Sequence, residues 1–422
     1  MKILHTSDWH LDHRLYDRRR TDEHRAFLDW LCQTIIDREV DILIVSGDIF
    51  DNRTPTLDSK QLYFRFLTQL YESRLSGLSK CRAVIITAGN HDSASFLETD
   101  KPILRYLNIS VVAQRPEIIV IPSSETGSPS DFPAIIVAMP FLSDVELRKS
   151  SPEESAEDKT VNLMLGLRSV YRSLATEAQT RQSELLQTYP YAPIIATGHL
   201  FAQGSKSLGS DAGERDIYVG SLGQFPAGDF PQQFDYIALG HLHVPQTVGG
   251  EERIQYSGSP IPIGFGESGQ TKRVIEVNWG ADGIPVFTSL PVPQFQRLVQ
   301  ISESDKSAIE QRVKTLVEES KQSDQCVWLE IVYRGVEAPG ELPQTIDEIL
   351  SDSNITLLAF KWIGIREVGI SPLFKGETLQ SLDPIEVFKR TLTSMYVKEE
   401  ERDDLIKMYE EILYDSQSAA SD

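Results

Sequence analysis

The sequence predicts a layered α/β fold followed by a smaller α+β unit, and three observations carry the prediction. Short β-branched, mainly apolar runs recur through the first ~275 residues, ending abruptly in Asp, Asn or His, in most cases with Gly. Helical patterns lie between these runs. After them the chain changes to two strand–helix units and a closing strand. Runs of consecutive apolar residues suit strands covered on both faces, and their alternation with helices marks a layered α/β sheet.

Taken in order, Met1–His5 is the first run and leads into Asp8 and His10. Glu23 to Arg38 reads as a helix. Asp41–Val45 runs into Ser46-Gly47-Asp48, and Ser59 to Ser73 is the next helix. Ala83–Ile86 runs into Gly89-Asn90-His91-Asp92. Ile118–Ile121 and Ala134–Ala138 are strand-like, joined by a Ser-, Pro- and Gly-rich surface loop from Pro122 to Pro133. Val161 to Gln187 is helical. Pro193–Ala196 then runs into Gly198-His199, and Asp235–Leu239 into Gly240-His241-Leu242-His243. No repeat of fixed period appears, which argues against a solenoid.

Composition shifts after Lys272–Val277. Gln296–Ile301, Cys326–Tyr333 and Ile355–Trp362 read as strands, with helices over Ser304–Ser320 and Leu342–Leu350 between them. We place a first domain at residues 1–278, a small second domain at 279–370 and a linker at 371–380. Residues 381–415 form C-terminal helices and 416–422 a disordered tail. Asp383-Pro384 followed by Glu386 is a helix start. Ile385, Phe388, Leu392 and Met395 make one apolar stripe; Leu405, Met408, Tyr409, Ile412 and Leu413 make another. Such helices after a tether either pack on the chain's own body or dock on a partner.

The 422 residues are 40% hydrophobic and 24% charged, which excludes a collagenous, low-complexity or largely disordered chain. No apolar run approaches the ~20 residues of a membrane span. The N-terminus enters polar residues directly, so no secretory signal is expected. Cys32, Cys81 and Cys326 show no paired spacing. That argues against a disulfide framework or a Cys-ligated zinc, and for a reducing cytoplasm. Lys+Arg 41 against Asp+Glu 62 gives a net charge of −21, so the chain is no general polyanion binder. Contact with nucleic acid would need a local basic patch, bound cations or a partner subunit.

In α/β sheets ligands sit beyond the carboxyl ends of the strands. Asp8, His10, Asp48, Asn90, His91, His199, His241 and His243 all lie at such ends, and five of the chain's eight histidines are among them. A lone histidine after a strand is most often structural, but isolated structural histidines would not collect at successive strand ends. Imidazole, carboxylate and one amide, without thiolate, suit Mn²⁺, Fe²⁺ or Zn²⁺ rather than Ca²⁺. The donors are too many for one ion. Two ions bridged by one carboxylate would use them naturally, in the arrangement that clamps both the attacking and the leaving oxygen of a phosphate ester.

Asp8-x-His10, Gly47-Asp48, Gly89-Asn90-His91-Asp92, Gly198-His199 and Gly240-His241-x-His243 resemble the five-block signature of calcineurin-like metallophosphoesterases. Within that superfamily, His5–Leu11, Gly47–Asp51, Ala238–His243, Tyr256–Pro262 and Leu382–Glu386 resemble the bacterial SbcD nuclease-subunit family. The resemblance implies a metallophosphoesterase sandwich of mixed sheets flanked by helices, a small α+β capping and DNA-binding domain, and C-terminal helices that bind the coiled-coil base of an SbcC-type ATPase. It further implies Mn²⁺-dependent exonuclease action on double-stranded DNA ends and endonuclease action on single strands and hairpins, coupled to the partner's ATP use, in repair, recombination and replication. Mg²⁺, Fe²⁺ and Zn²⁺ are the alternative ions. The family implies a homodimer through the nuclease domain and a nucleoid-associated cytoplasmic site.

Carried over by motif, Asp8, His10, Asp48 and His243 resemble the ligands of one ion, and Asp48, Asn90, His199 and His241 those of the other. Asp48 is then the bridge and His91 the catalytic histidine. Asp51 stands where some relatives carry a second active-site histidine, and Asp12-His13 occupies a turn where Gly with a small polar residue is expected. We read His13 as structural or DNA-proximal. Asp92 either holds an imidazole or nearby backbone, or caps its turn.

Arg14, Arg18, Arg19 and Arg20 follow the first motif, with Arg25 beyond them. They are either a solvated helix start or phosphate-positioning groups. Lys206 and Arg215 lie in a Gln203–Tyr218 loop that could grip a strand end. Gly264–Gly269 fits the dinucleotide pattern GxGxxG, but no helix follows it, and no Gly-Lys dipeptide exists for a P-loop. The alternative function is a stand-alone phosphodiesterase or phosphatase. Asp51-Asn52-Arg53 and Asp92 depart from the protein-phosphatase pattern, and the extra ~145 residues after the catalytic core have no use in a minimal phosphodiesterase.

Overall fold

The computed structural model describes residues 1–124, 132–147, 156–205, 224–321 and 326–363, with helical positions at 385, 389, 405, 406 and 409. The first elements are β1 (Lys2–Thr6), β2 (Arg14–Leu15), β3 (Arg18–Arg19), α1 (Thr21–Asp37), β4 (Ile42–Ser46), α2 (Leu57–Leu75) and β5 (Ala83–Thr87). They are followed by α3 (Ala94–Thr99), α4 (Lys101–Tyr106), β6 (Ile109–Val112), β7 (Glu117–Ile121), β8 (Ala134–Ala138), α5 (Asp144–Leu147), α6 (Ala156–Leu185) and β9 (Ile194–His199). Then come β10 (Tyr236–Gly240), β11 (Gln246–Val248), β12 (Glu251–Tyr256), β13 (Arg273–Trp279) and β14 (Pro285–Pro291). The small domain is β15 (Arg297–Glu303), α7 (Lys306–Ser320), β16 (Val327–Tyr333), α8 (Leu342–Leu350) and β17 (Ile355–Trp362).

Two six-stranded sheets form the large domain, in the orders β14-β13-β1-β4-β5-β6 and β11-β12-β10-β9-β8-β7. Both are mixed. β1, β4, β5 and β6 run parallel, as do β8, β9, β10 and β12, while β13 joins β1 antiparallel and β7 and β11 pair antiparallel at the edges of the second sheet. The apolar runs have a physical reason in the layers. Along β4, Ile42 and Ile44 enter the core between the sheets with Ile136, Ile195 and Ala238. Leu43 and Val45 point the other way, into Phe27, Leu31, Phe66 and Leu70 of α1 and α2. The second sheet turns Ile194, Ala196, Ile237 and Leu239 toward Leu167 and Tyr171 of α6. Neither face of these strands meets water, so neither face is polar.

Three findings correct the sequence reading. β14 pairs with β13 over seven positions, Arg273↔Pro291 to Trp279↔Pro285, so the first sheet runs past residue 278. Arg14 to Arg19 is not a helix start but the hairpin β2–β3, turned by Tyr16 and Asp17 with φ of 46° and 63°. Arg20 is 2% exposed. Its Nε donates to Glu23 Oε2 at 2.7 Å and its Nη1 to the Pro262 carbonyl at 2.5 Å, so it ties the chain together and is withdrawn from any phosphate.

The small domain is a three-stranded parallel sheet, β15-β16-β17. One face packs on α7 and α8 through Ile309, Val313, Leu316 and Ile346. The other meets the large domain: Leu298 packs with Leu15 and Phe265, flanked by Trp328 and Leu358. Tyr16, at the hairpin tip, donates to Glu330 Oε1 at 2.5 Å, and Lys361 Nζ lies 2.9 Å from the same oxygen. The 371–380 linker and 416–422 tail lie outside the described residues, as does the C-terminal helical segment apart from the isolated positions above. Among the described residues no helix is long and apolar enough to cross a membrane.

Candidate metal centre

The motif residues converge where the carboxyl ends of β1, β4 and β5 face those of β9 and β10. Backbone bonds stitch the turns: Asp8 N–H donates to the Gly47 carbonyl and His10 N–H to that of Asp48, both at 3.0 Å. His241 N–H donates to Asp8 Oδ1 at 2.9 Å, joining the second sheet to the first. Asp8, His10, Asp48 and His241 all have positive φ, at 52°, 45°, 50° and 101°. Non-glycine residues rarely adopt that region, and it persists where surroundings over-determine it, often at functional sites. Gly47 is required for space: a Cβ there would lie 2.2 Å from His199 Nδ1.

Three histidines share one design. Each turns Nδ1 to an acceptor: His199 to the Ser46 carbonyl at 3.0 Å, His91 to the Asp51 carbonyl at 2.8 Å and His243 to Glu267 Oε1 at 3.2 Å. These partners assign the proton to Nδ1 in the neutral ring and leave each Nε2 as the lone-pair nitrogen. His10 Nδ1 lies 3.4 Å from Asp51 Oδ1 without a hydrogen bond. The Nε2 atoms converge. His10 Nε2 is 3.1 Å from His243 Nε2, and His199 Nε2 is 3.0 Å from Asn90 Oδ1. Asp48 Oδ2 lies between the two sets, 3.7 Å from His10 Nε2 and 3.3 Å from His199 Nε2. Its Oδ1 accepts the His91 N–H at 2.9 Å.

Three overlapping buried groups could hold an ion: Asp8, His10 and His243; His10, Asp48 and His91; Asp8, Asp48 and His199. Asn90 joins the last through His199. The His241 ring stands edge-on to His199 with centroids 5.4 Å apart. Imidazole nitrogens, carboxylate oxygens and one amide oxygen gathered this closely in a buried site, with no thiolate among them, make a donor set that fits divalent ions. A groove of about 440 Å³ lined by Arg53, Asn90, Ser93, Ser95 and Phe141 opens beside the centre.

The family model described as Calcineurin-like phosphoesterase matches residues 1–245, and that described as Type 5 capsule protein repressor C-terminal domain matches 294–396. The chain is 33% identical over 414 residues to the SbcD component of nuclease SbcCD from Escherichia coli (strain K12), covering 98% of both chains. It is 32% identical to the corresponding SbcD component from Rhodobacter capsulatus, covering 69% of this chain and 70% of the other. With that from Bacillus subtilis the identity is 31%, over 66% of each chain. The chain belongs to the SbcD branch of the calcineurin-like phosphoesterases.

Burial dominates the electrostatics of this SbcD-family site. It pushes His10 down to about 4 and His241 well below the ordinary imidazole value, so both rings are neutral at pH 7 and able to ligate. It raises Asp8 to about 6 against the pull of His199 and His243. At Asp48 burial is overcome by His199 and His10, and the carboxyl stays well below its usual range. Burial lowers His199, but Asp48 prevails and lifts it to about 9. A proton thus occupies the place where the carboxylates call for positive charge.

Several residues of the centre were not read as such from sequence. Asp51 holds two rings by hydrogen bonds, its carboxylate on His13 (3.0 Å) and its carbonyl on His91 (2.8 Å), and its carboxylate lies 3.4 Å from His10 Nδ1. Its position three residues after Asp48 was the available signal. His13 is held from its other nitrogen by the Ile263 carbonyl at 3.0 Å, a structural role. Asp92 holds nearby backbone: it accepts from Ile49 and Phe50 N–H of the neighbouring turn at 3.2 and 2.9 Å, and from Gly89 N–H of its own turn at 2.9 Å. Ser7 Oγ donates to Asp8 Oδ2 at 2.5 Å and meets Ser257 Oγ at 2.8 Å. Arg14, Arg18 and Arg19 are exposed, Arg19 beside Asp58 at 3.2 Å. Lys206 and Arg215 lie outside the described residues.

Proposed function

We propose that this chain is the metal-dependent nuclease subunit of an SbcCD-type complex. It hydrolyses phosphodiester bonds at double-stranded DNA ends and in hairpins, in repair, recombination and replication. One observation carries the reading: a single buried carboxylate oxygen, Asp48 Oδ2, stands between two separate imidazole sets. Asp8, His10, Asp48 and His243 would hold one ion, and Asp48, Asn90, His199 and His241 the other, with Mn²⁺ the first choice. Bound divalent ions supply Lewis acidity toward water and phosphate oxygens.

The chain's own residues do the rest. The Asp51 and Ser46 carbonyls fix the rings of His91 and His199 before substrate arrives, so no reorganisation is needed at the moment of reaction. His91 holds a proton on Nδ1 against the Asp51 carbonyl and offers Nε2 to the leaving oxygen as a proton donor once charged. Arg14, Arg18 and Arg19 present cations on a rigid hairpin next to the first motif, where they position phosphates without reading sequence. They give an otherwise acidic chain its local basic patch. Lys206 and Arg215, outside the described residues, are further candidates for DNA contact. Residues 381–415 dock on the SbcC-type ATPase, and the nuclease domain forms the homodimer.

The test incubates the full chain with Mn²⁺ and hairpin DNA, with and without the ATPase partner, beside a generic phosphodiester. Cleavage of DNA ends and hairpins that depends on the ion and rises with the partner is expected. Hydrolysis of the small ester with no action on DNA would overturn the reading.

A further inference from the structure

The Gly264–Gly269 segment resembles a nucleotide-binding loop by spacing alone, yet its short turn Phe265–Glu267 leads into a strand. Glu267 is fully buried. Its Oε1 lies 3.2 Å from His243 Nδ1, while its Oε2 accepts from Ser259 Oγ and Ile263 N–H, each at 3.1 Å, and from Lys272 Nζ. Lys272, itself 4% exposed, also donates to the His243 carbonyl at 3.0 Å, Ser259 Oγ at 2.9 Å and Gln270 Oε1 at 3.2 Å. The pair therefore grips His243 at both ring and main chain. Folding alone does not call for it, since a buried ion pair is often no more stabilising than apolar residues of the same volume.

We propose that Glu267, backed by Lys272, is a positioning residue for His243: it holds the Nδ1–H form so that Nε2 faces His10 Nε2. This rests on the metal-centre reading above. A carboxylate behind a ligating imidazole fixes ring and tautomer and raises the basicity of the ligating nitrogen, and its loss typically weakens metal binding 10–100-fold. The second sphere of this centre is then partly built by a segment that also packs, through Phe265, against Leu298 of the small domain.

Two double variants separate positioning from structure. Glu267→Ala with Lys272→Met removes the acceptor without stranding a buried cation. Glu267→Gln with Lys272→Met keeps an oxygen that can accept from Nδ1. Calorimetric titration with Mn²⁺ and the visible spectrum of the Co²⁺-loaded protein are measured beside thermal unfolding of the metal-free chains. The Ala variant is expected to bind one of two ions about 10–100-fold more weakly with an altered Co²⁺ spectrum, and the Gln variant to regain most of that affinity. Unchanged affinity for both ions in the Ala variant overturns the proposal alone. So does a Gln variant that binds no better than the Ala variant at equal stability. A wild-type chain that binds fewer than two ions overturns the metal-centre reading and this proposal with it.

Discussion

Replacing Asp48 by asparagine perturbs both imidazole sets through one atom. Asp48 Oδ2 is 3.3 Å from His199 Nε2. At an effective dielectric of about 20, unit charges at that separation attract by about 5 kcal/mol, enough to hold a proton on the ring against burial. This is why His199 sits at about 9. Metal-free protein at pH 7 therefore carries a proton on His199 that an arriving cation must displace. Metal loading of the wild-type chain should release about one proton from this ring. The affinity for the ion His199 contacts should rise about tenfold per pH unit up to about pH 9, because the unloaded state binds the extra proton. The Asp48→Asn side chain would keep an oxygen for the His91 N–H but lose the charge. Burial then prevails and His199 should titrate below 6.5, its release of a proton at pH 7 should vanish, and both ions should bind more weakly. An NMR titration of the His199 ring in metal-free protein reads the first effect. Calorimetry in two buffers of different ionisation enthalpy reads the second, and elemental analysis the third. A ring still titrating near 9 in Asp48→Asn, or two ions still tightly held, would refute the bridge.

The remaining predictions concern chemistry, pH and docking. His91→Gln should keep metal content and DNA affinity while turnover on ends and hairpins falls together by roughly 10²–10⁴-fold, the usual worth of general acid catalysis; loss of one metal equivalent would make the residue a ligand instead. His5 is buried beside Tyr236 Oη at 2.8 Å and lowered to about 3, so the unfolded chain takes up a proton below about 6.5 that the folded chain refuses. Its contribution is fully present above pH 6.5 and is lost on acidification at about 1.4 kcal/mol per pH unit, or about 2 kcal/mol by pH 5. Urea unfolding of metal-free His5→Gln should show a pH slope shallower by that amount, and an unchanged slope would remove His5 from the account. Deleting residues from 381 onward should spare metal binding and weak nuclease activity but abolish co-purification with the ATPase partner; a truncated chain that still co-purifies would place the docking surface elsewhere.

What could be read from the sequence, and what could not, divides along contact distance. β1, β4, β5, β9 and β10 were legible because both their faces are buried, so each has a run of consecutive apolar residues and stops where the chain must turn polar. The eight motif residues share those strand ends. β12 opens on three charged residues, Glu-Glu-Arg, and β14 is a half-exposed edge bounded by prolines, so neither gives the buried-strand signal. Arg20 was read with its arginine neighbours because nothing near it in sequence announces the Pro262 carbonyl 242 residues away. Glu267 was passed over inside a glycine pattern, since its partner His243 lies beyond an intervening strand pair. Asp92 was ambiguous for the opposite reason: its acceptor role is set by the N–H groups of Ile49 and Phe50, in a turn that sequence cannot place beside it.

The strained turns show why the centre lies where two sheets meet. Each left-handed non-glycine residue costs about 1–2 kcal/mol, and four of them at Asp8, His10, Asp48 and His241 would not persist in a free loop. They persist because the turns brace one another: Asp8 N–H on the Gly47 carbonyl, His10 N–H on that of Asp48, His241 N–H on the Asp8 carboxylate, and His199 Nδ1 on the Ser46 carbonyl. The last two contacts cross from one sheet to the other. A site on a single sheet would have lacked half of these braces, and its ligands would have relaxed out of the conformations that aim them at a common point. The closeness that bracing demands leaves Gly47 no room for a side chain against His199. Strain, glycine and ligand convergence are therefore one requirement expressed at different positions of the chain.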